Sequence, residues 1–197
     1  NTSATIIVPD YPLAPEHTAA DVYVFLDKIF EWIKTITSVS ELIVLGDSAG
    51  GGLALGFTQK LKRGKNKLPS QLILLSPWLD ITLVNPDIEP IEKKDPVLHV
   101  EGLLLAGKAY AGDWAISDFR ISPIYGDFEG LPGISVFIGT HDILYADVKK
   151  MKMNLEKKGI SINYFVYPKL FHDWPIIFSK MKESQSVFQQ IDDLINN

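Results

Sequence analysis

Apolar positions along the chain follow two rhythms, and their alternation is the first clue to architecture. From Ala19 to Ile36, apolar Val22, Phe25, Leu26, Ile29, Phe30 and Ile33 recur at three- and four-residue spacing, which predicts an amphipathic helix. Short continuous apolar runs at 5–9, 41–45, 71–76, 133–139 and 160–167 predict buried strands, and further helices are expected over 48–61, 146–158 and 183–195. Strand alternating with helix points to an α/β fold with a mostly parallel sheet flanked by helices, since both faces of a parallel sheet must be covered. The rhythm breaks at about 78–132, a stretch punctuated by prolines and acidic residues with one clear helix near Val100 to Ala111. That stretch reads as a cap-like excursion over one end of the sheet. No internal repeat or low-complexity tract interrupts the rest.

The second strand runs directly into Gly46-Asp47-Ser48-Ala49-Gly50 and then into a helix, so the G-x-S-x-G pattern sits in the strand–turn–helix context it needs. A serine on so tight a turn is held in strained backbone geometry with its hydroxyl aimed out of the sheet. Side chains at the flanking glycines are expected to crowd the adjacent strand and helix. The backbone N–H of Ala49, at the helix N-terminus, lies where an oxyanion would develop. Taken alone, the five residues also fit a serine that merely caps the helix.

A nucleophilic serine needs a base and a group to orient that base. The chain supplies both in the order serine, acid, histidine, at the exits of later strands: Asp142 after the strand ending at Gly139, and His172 after the one ending near Tyr167. Ser48, Asp142 and His172 are therefore the expected catalytic residues, with Ala49 as an oxyanion donor. Other residues compete less well. His141 precedes Asp142 and should point elsewhere; His17 is expected to fasten a loop, and His99 to be exposed in the excursion. Asp147 is the fallback acid but reads better as a helix-start residue. Asp173 adjoins His172 and could alter its pKa, though a solvated surface charge is the plainer expectation.

Composition narrows the rest. With 197 residues, 46% of them hydrophobic, the chain can build one sizeable core, and a single domain over 1–197 is expected. The formal charge of −5 gives no reason to expect nucleic acid. The one dense basic run, Lys60, Lys62, Arg63, Lys65 and Lys67, falls where the second helix should end and complements its dipole. Without cysteine there is no disulfide framework, thiolate nucleophile or cysteine zinc site. No apolar segment approaches the ~20 residues of a membrane helix. The expected location is cytoplasmic, the expected partner a small-molecule substrate, and neither cofactor nor metal is implied; a homo-oligomer is compatible with all of this. A dinucleotide-binding βαβ unit is disfavoured because the third position from Gly46 is Ser48 rather than glycine.

Several stretches resemble one family, the hormone-sensitive-lipase-like serine esterases of the α/β-hydrolase fold. Asp10 to His17, DYPLAPEH, is similar to the family's Asp-Tyr-Arg-Leu-Ala-Pro-Glu-His signature with Pro12 in place of arginine. Gly46 to Gly51, GDSAGG, matches the nucleophile motif unchanged, while SPWLD at 76–80 and GLPGISVFIGTHDIL at 130–144 resemble the following strands and the acid-bearing loop. The resemblance covers nearly the whole chain. It implies hydrolysis of carboxylic esters, with short acyl chains or small aryl and alkyl groups favoured, through an acyl-enzyme. Amide hydrolysis, deacetylation and acyl transfer use the same triad and stay open, as does a non-catalytic ligand-binding role like that of the plant gibberellin receptors of the family.

Two departures matter. The family usually follows its histidine with Gly-Phe, whereas this chain has Asp173 and Trp174. Its His-Gly-Gly-Gly motif, which supplies the other oxyanion donors, precedes the Asp-Tyr-Arg segment by several dozen residues and has no counterpart here. In the family, the strand leading to that motif lies between those matching Thr5–Pro9 and Glu41–Leu45. The expectation is therefore a C-terminal part of a longer protein, with the N-terminal strands and cap lacking and its own N-terminal segment as a partner. By itself such a part could be an inactive fragment.

Overall fold

A computed structural model describes residues 4–196, so Asn1 and Asn197, the ends of the expected 1–197 domain, lie outside it. Helix α1 (Ala19–Ile36) opens on a capping box in which the Asp21 carboxylate accepts the Thr18 N–H at 2.9 Å, satisfying an otherwise orphaned donor. Strand β1 (Ile43–Asp47) leads straight into α2 (Ser48–Arg63), and β2 (Gln71–Leu75) follows. Between β2 and the next strand lie the short α3 (Glu89–Glu92) and α4 (Val100–Ala111). The chain then continues through β3 (Gly133–Gly139), α5 (Tyr145–Lys157), β4 (Asn163–Tyr167), the single turn α6 (Trp174–Ile177) and α7 (Lys182–Asn196). The expected helices and four of the five expected strands are present, with ends that coincide or shift by at most three residues; α3 and α6 are too short to show a period.

The four strands form one parallel sheet in the order β1-β2-β3-β4, in register from Ile43 opposite Gln71 to Gly139 opposite Tyr167. Parallel neighbours need crossovers, and helices on both faces supply the cover. On one face Leu72, Leu74, Val136 and Ile138 pack against Leu55 of α2 and Val148, Met151 and Leu155 of α5. On the other, Ile73, Leu75 and Phe137 meet Trp174 and Val187 of α6 and α7, and Phe137 stacks on Phe165 with centroids 4.5 Å apart. Each such side chain contributes ~1.5–3 kcal/mol by leaving water. Helix α1 packs on α2 through Val22, Tyr23 and Phe30. The excursion has its own apolar cluster around Trp78, Ile81 and Ile121, and this cluster includes Ala19 of α1 and Ile143 and Leu144 beyond β3. The excursion is thereby tied to the loop that carries Asp142.

Three expectations are corrected. Thr5–Pro9 forms no strand, with Ile6 and Val8 75% and 83% exposed. A strand's hydrogen bonds come from a neighbour, and no strand of the sheet pairs with this run. Strand β1 starts at Ile43 rather than Glu41, because Val39–Glu41 closes a 3₁₀ turn. Strand β4 starts at Asn163 rather than Ile160, because the Ile160 N–H is spent on the Leu155 carbonyl at the end of α5. The basic run does end a helix: Lys60 pairs with Asp27 and Lys62 with Asp127. Among the described residues, no helix is long and apolar enough to cross a membrane.

Candidate active site

Three loops at the C-terminal edge of the sheet converge. The first is the turn between β1 and α2, where Ser48 adopts φ 50°, a left-handed conformation that costs a non-glycine residue ~1–2 kcal/mol. Close approach of strand to helix enforces it: a Cβ on Gly46 would lie 2.4 Å from the Gly50 carbonyl oxygen, and one on Gly52 would lie 2.1 Å from that of Trp78. Gly50 behaves otherwise. Its Cβ would meet nothing nearer than 3.9 Å, so the expected crowding at both flanking glycines holds for Gly46 and fails for Gly50, whose Cβ would make only ordinary contacts. The turn is also pinned by the Trp78 N–H, which donates to the Ser48 carbonyl at 2.9 Å.

The second loop follows β3. Asp142 is fully buried, and its Oδ1 accepts the Leu144 N–H at 2.9 Å. Asp95, from the excursion, braces this loop by accepting the Ile143 N–H at 2.9 Å. The third loop follows β4 and carries His172, also buried. Its Nδ1 lies 3.0 Å from Asp142 Oδ2 and its Nε2 lies 2.9 Å from Ser48 Oγ. Residues 48, 142 and 172, up to 124 positions apart in the chain, are thus joined in one hydrogen-bonded line. Burial pushes the Asp142 carboxyl above its ordinary range, against the opposing pull of His172. Burial by itself would lower the His172 pKa, but the hydrogen bond to Asp142 and the nearby carboxylates of Asp142 and Asp173 raise it to about 10.

Ala49 stands in the first turn of α2, where N–H groups have no intrahelical acceptor. It borders a cavity of about 240 Å³ that is lined chiefly by Tyr11, Leu13, Leu53, Trp78, Ile81 and Tyr110. The Tyr110 hydroxyl is buried without a hydrogen-bond partner, and burial pushes it well above the usual phenol range. A larger hollow of about 300 Å³, against Asn85, Asp87 and Lys149, shares no residue with this site.

The remaining candidates are placed elsewhere. His17 is exposed and lies 3.8 Å from Asp21; His99 is exposed at the start of α4; His141 is half-buried, its N–H bonded to the Leu170 carbonyl. Asp147 is buried in the first turn of α5, where Oδ1 accepts from Asn85 Nδ2 at 2.9 Å. Asp173 is the correction among them: it is buried, not solvated, with Oδ2 3.1 Å from His172 Nε2. Sequence reasoning also missed Ser76, Asp95 and Tyr110. Ser76, at φ 42°, receives the Asp173 N–H at 3.4 Å; its position in the matched SPWLD stretch was the available signal. Among the described residues, no three His, Asp or Glu side chains converge as metal ligands.

A serine strained into the open at a strand–helix turn, with an imidazole and a buried carboxylate in line behind it, is the arrangement of an α/β-hydrolase nucleophile elbow. The chain belongs to the α/β-hydrolase fold family, whose model matches residues 1–176, and the resemblance to its hormone-sensitive-lipase-like members holds. A protein from Acinetobacter venetianus named as an esterase is 31% identical over 195 residues, 96% of this chain and 63% of its own length. The crystal structure of a candidate esterase from Staphylococcus aureus superposes with a TM-score of 0.90 at 33% identity, covering 95% of this chain and 63% of that one. An esterase of the bacterial hormone-sensitive lipase family, 24% identical, shares the fold with a TM-score of 0.88 over 94% of this chain and 63% of its own. The chain therefore spans less than two thirds of the length of these relatives.

Proposed function

We propose that the whole protein is a serine hydrolase of carboxylic esters. The observation that carries this reading is the unbroken line from Asp142 Oδ2 through His172 to Ser48 Oγ, at 3.0 and 2.9 Å. Ser48 Oγ attacks the ester carbonyl carbon while neutral Nε2 of His172 takes the hydroxyl proton. Asp142 holds the tautomer with Nδ1–H and stabilises the imidazolium that forms. The carbonyl oxygen, now an anion, accepts from the Ala49 N–H. Collapse breaks the bond to the leaving alkoxide, which receives the proton from Nε2 and departs as the alcohol. Water, deprotonated by the same imidazole, then attacks the acyl-serine; collapse releases the acid and returns the proton to Ser48.

A cavity of about 240 Å³ beside Ala49 lies below the ~300–1,000 Å³ of sites for drug-sized ligands, which supports small acyl, aryl or alkyl esters. In this proposal an N-terminal segment of the whole protein completes the sheet. Strand β1 is an edge of the described sheet and Leu45 on it is 47% exposed, as expected if a further segment adds a strand there and brings the remaining oxyanion donors. One observation favours the non-catalytic binding reading instead: Asp173 shares Nε2 of His172 with Ser48.

Fluorophosphonate labelling with peptide mapping separates the two. Hydrolase chemistry requires an adduct on Ser48 that is lost in His172→Ala and reduced in Asp142→Asn. No adduct, either on this chain or on the full-length protein, would leave the binding reading.

A further inference from the structure

The geometry points to Asp173 as a positioning residue of the same site: its carboxylate competes with Ser48 for Nε2 of His172 and holds the proton on the imidazole. The inference rests on the triad reading above and adds a group that the triad does not need. An ionised carboxylate only accepts hydrogen bonds. It has nothing to gain from a neutral Nε2, whose lone pair must face Ser48 Oγ–H for catalysis, and everything to gain from Nε2–H of the imidazolium. Ser48 Oγ holds the hydrogen-bonding direction at 2.9 Å, and the Asp173 carboxylate stands beside it at ion-pair distance, 3.1 Å from the same nitrogen.

Three further observations make this a built arrangement rather than a passing contact. Asp173 sits at φ 47°, a conformation glycine adopts freely and aspartate adopts under strain. Its N–H is anchored on Ser76 Oγ at 3.4 Å. Its second oxygen, Oδ1, is buried with no hydrogen-bond partner, so the nearby imidazolium offsets the cost of burying this charge. The groups that face the imidazole are Asp142 on Nδ1 and Asp173 and Ser48 on Nε2. Both charged ones are carboxylates, and both favour the protonated ring. The upward displacement of the His172 pKa to about 10 agrees in direction.

In consequence, the neutral base is scarce near neutrality and Ser48 gains reactivity as pH rises. Replacing Asp173 restores the base at lower pH. The test follows the ring NMR signals of His172 against pH in the chain itself, in Asp173→Asn and in Asp173→Gly; glycine suits the positive φ and guards against a misfolded amide variant. Fluorophosphonate labelling rates at Ser48 are measured over the same range. The inference expects His172 to titrate well above its ordinary value, and to fall by a unit or more in both variants. The acid limb of the labelling profile should move with it, raising the rate at pH 7 by ~10-fold per unit. An unchanged His172 titration in both folded variants overturns the inference. The NMR readout needs no turnover, so it decides the role of Asp173 even if Ser48 never labels, a result that counts against the hydrolase reading instead.

Discussion

Alanine at Gly46 and at Gly50 should have opposite effects, although the two glycines flank the same serine. At Gly46 the added methyl would lie 2.4 Å from the Gly50 carbonyl oxygen and 2.8 Å from the Gly51 nitrogen, both backbone atoms that no rotamer change can clear. Strand β1 and the start of α2 would have to separate by roughly 1 Å to reach ordinary contact. Forced expansion of a packed site costs ~1–3 kcal/mol. At Gly50 the methyl would meet only Asp47 Oδ1 and Tyr11 Oη, both at 3.9 Å, on a helical residue without positive φ. There alanine narrows the unfolded ensemble and favours the helix, a gain of ~0.4–1 kcal/mol. The two variants should therefore differ by about 1.5–4 kcal/mol in urea unfolding followed by circular dichroism, with wild type between them. Labelling of Ser48 should be lost in Gly46→Ala, because the displaced turn no longer presents the hydroxyl to Nε2, and kept in Gly50→Ala. Equal midpoints, or Gly50→Ala as the less stable variant, would refute the claim that backbone approach at Gly46 holds the elbow.

Other expectations can be tested alongside. Asp147 has its carboxyl pushed up to about 6 by burial. A raised carboxyl pKa contributes stability that is complete below about 4 and lost as pH rises through about 6, so wild type should lose ~2 kcal/mol more than Asp147→Asn across that window. Urea midpoints measured between pH 4 and 7 check it, and parallel curves for the two proteins would contradict it. Asp95→Ala strips the Ile143 N–H of its acceptor and should cost ~1–3 kcal/mol, with slower labelling of Ser48 as the Asp142 loop loosens. Labelling at the wild-type rate in a destabilised Asp95→Ala would show that the brace serves stability alone.

How much was legible beforehand differs from element to element. Helix α1 and strand β3 announce themselves because their apolar periods are local, and a period survives any tertiary arrangement. The elbow was legible for the same reason: strand, small residues, serine and helix are contiguous, and Asp142 and His172 follow from the rule that loops at strand exits gather on one edge. Thr5–Pro9 shows where local pattern stops. Its apolar run is as strand-like as that of β1, yet a strand exists only when a neighbour takes its hydrogen bonds, and the run itself carries no information about that neighbour.

The sequence by itself determined the α/β order, the strand–serine–helix turn and the chain order of Ser48, Asp142 and His172, which the structure joins in one hydrogen-bonded line. Only the tertiary structure decided that Gly46 and Gly52, rather than Gly50, are the glycines without room, since room is a distance between elements. Only it brought Asp95 from the excursion onto the acid loop and closed a cavity around Tyr110. Asp173 is the sharpest case. Beside a histidine in a polar loop, a carboxylate reads as surface charge; in the structure it is buried on a left-handed turn with Oδ2 3.1 Å from Nε2 of His172.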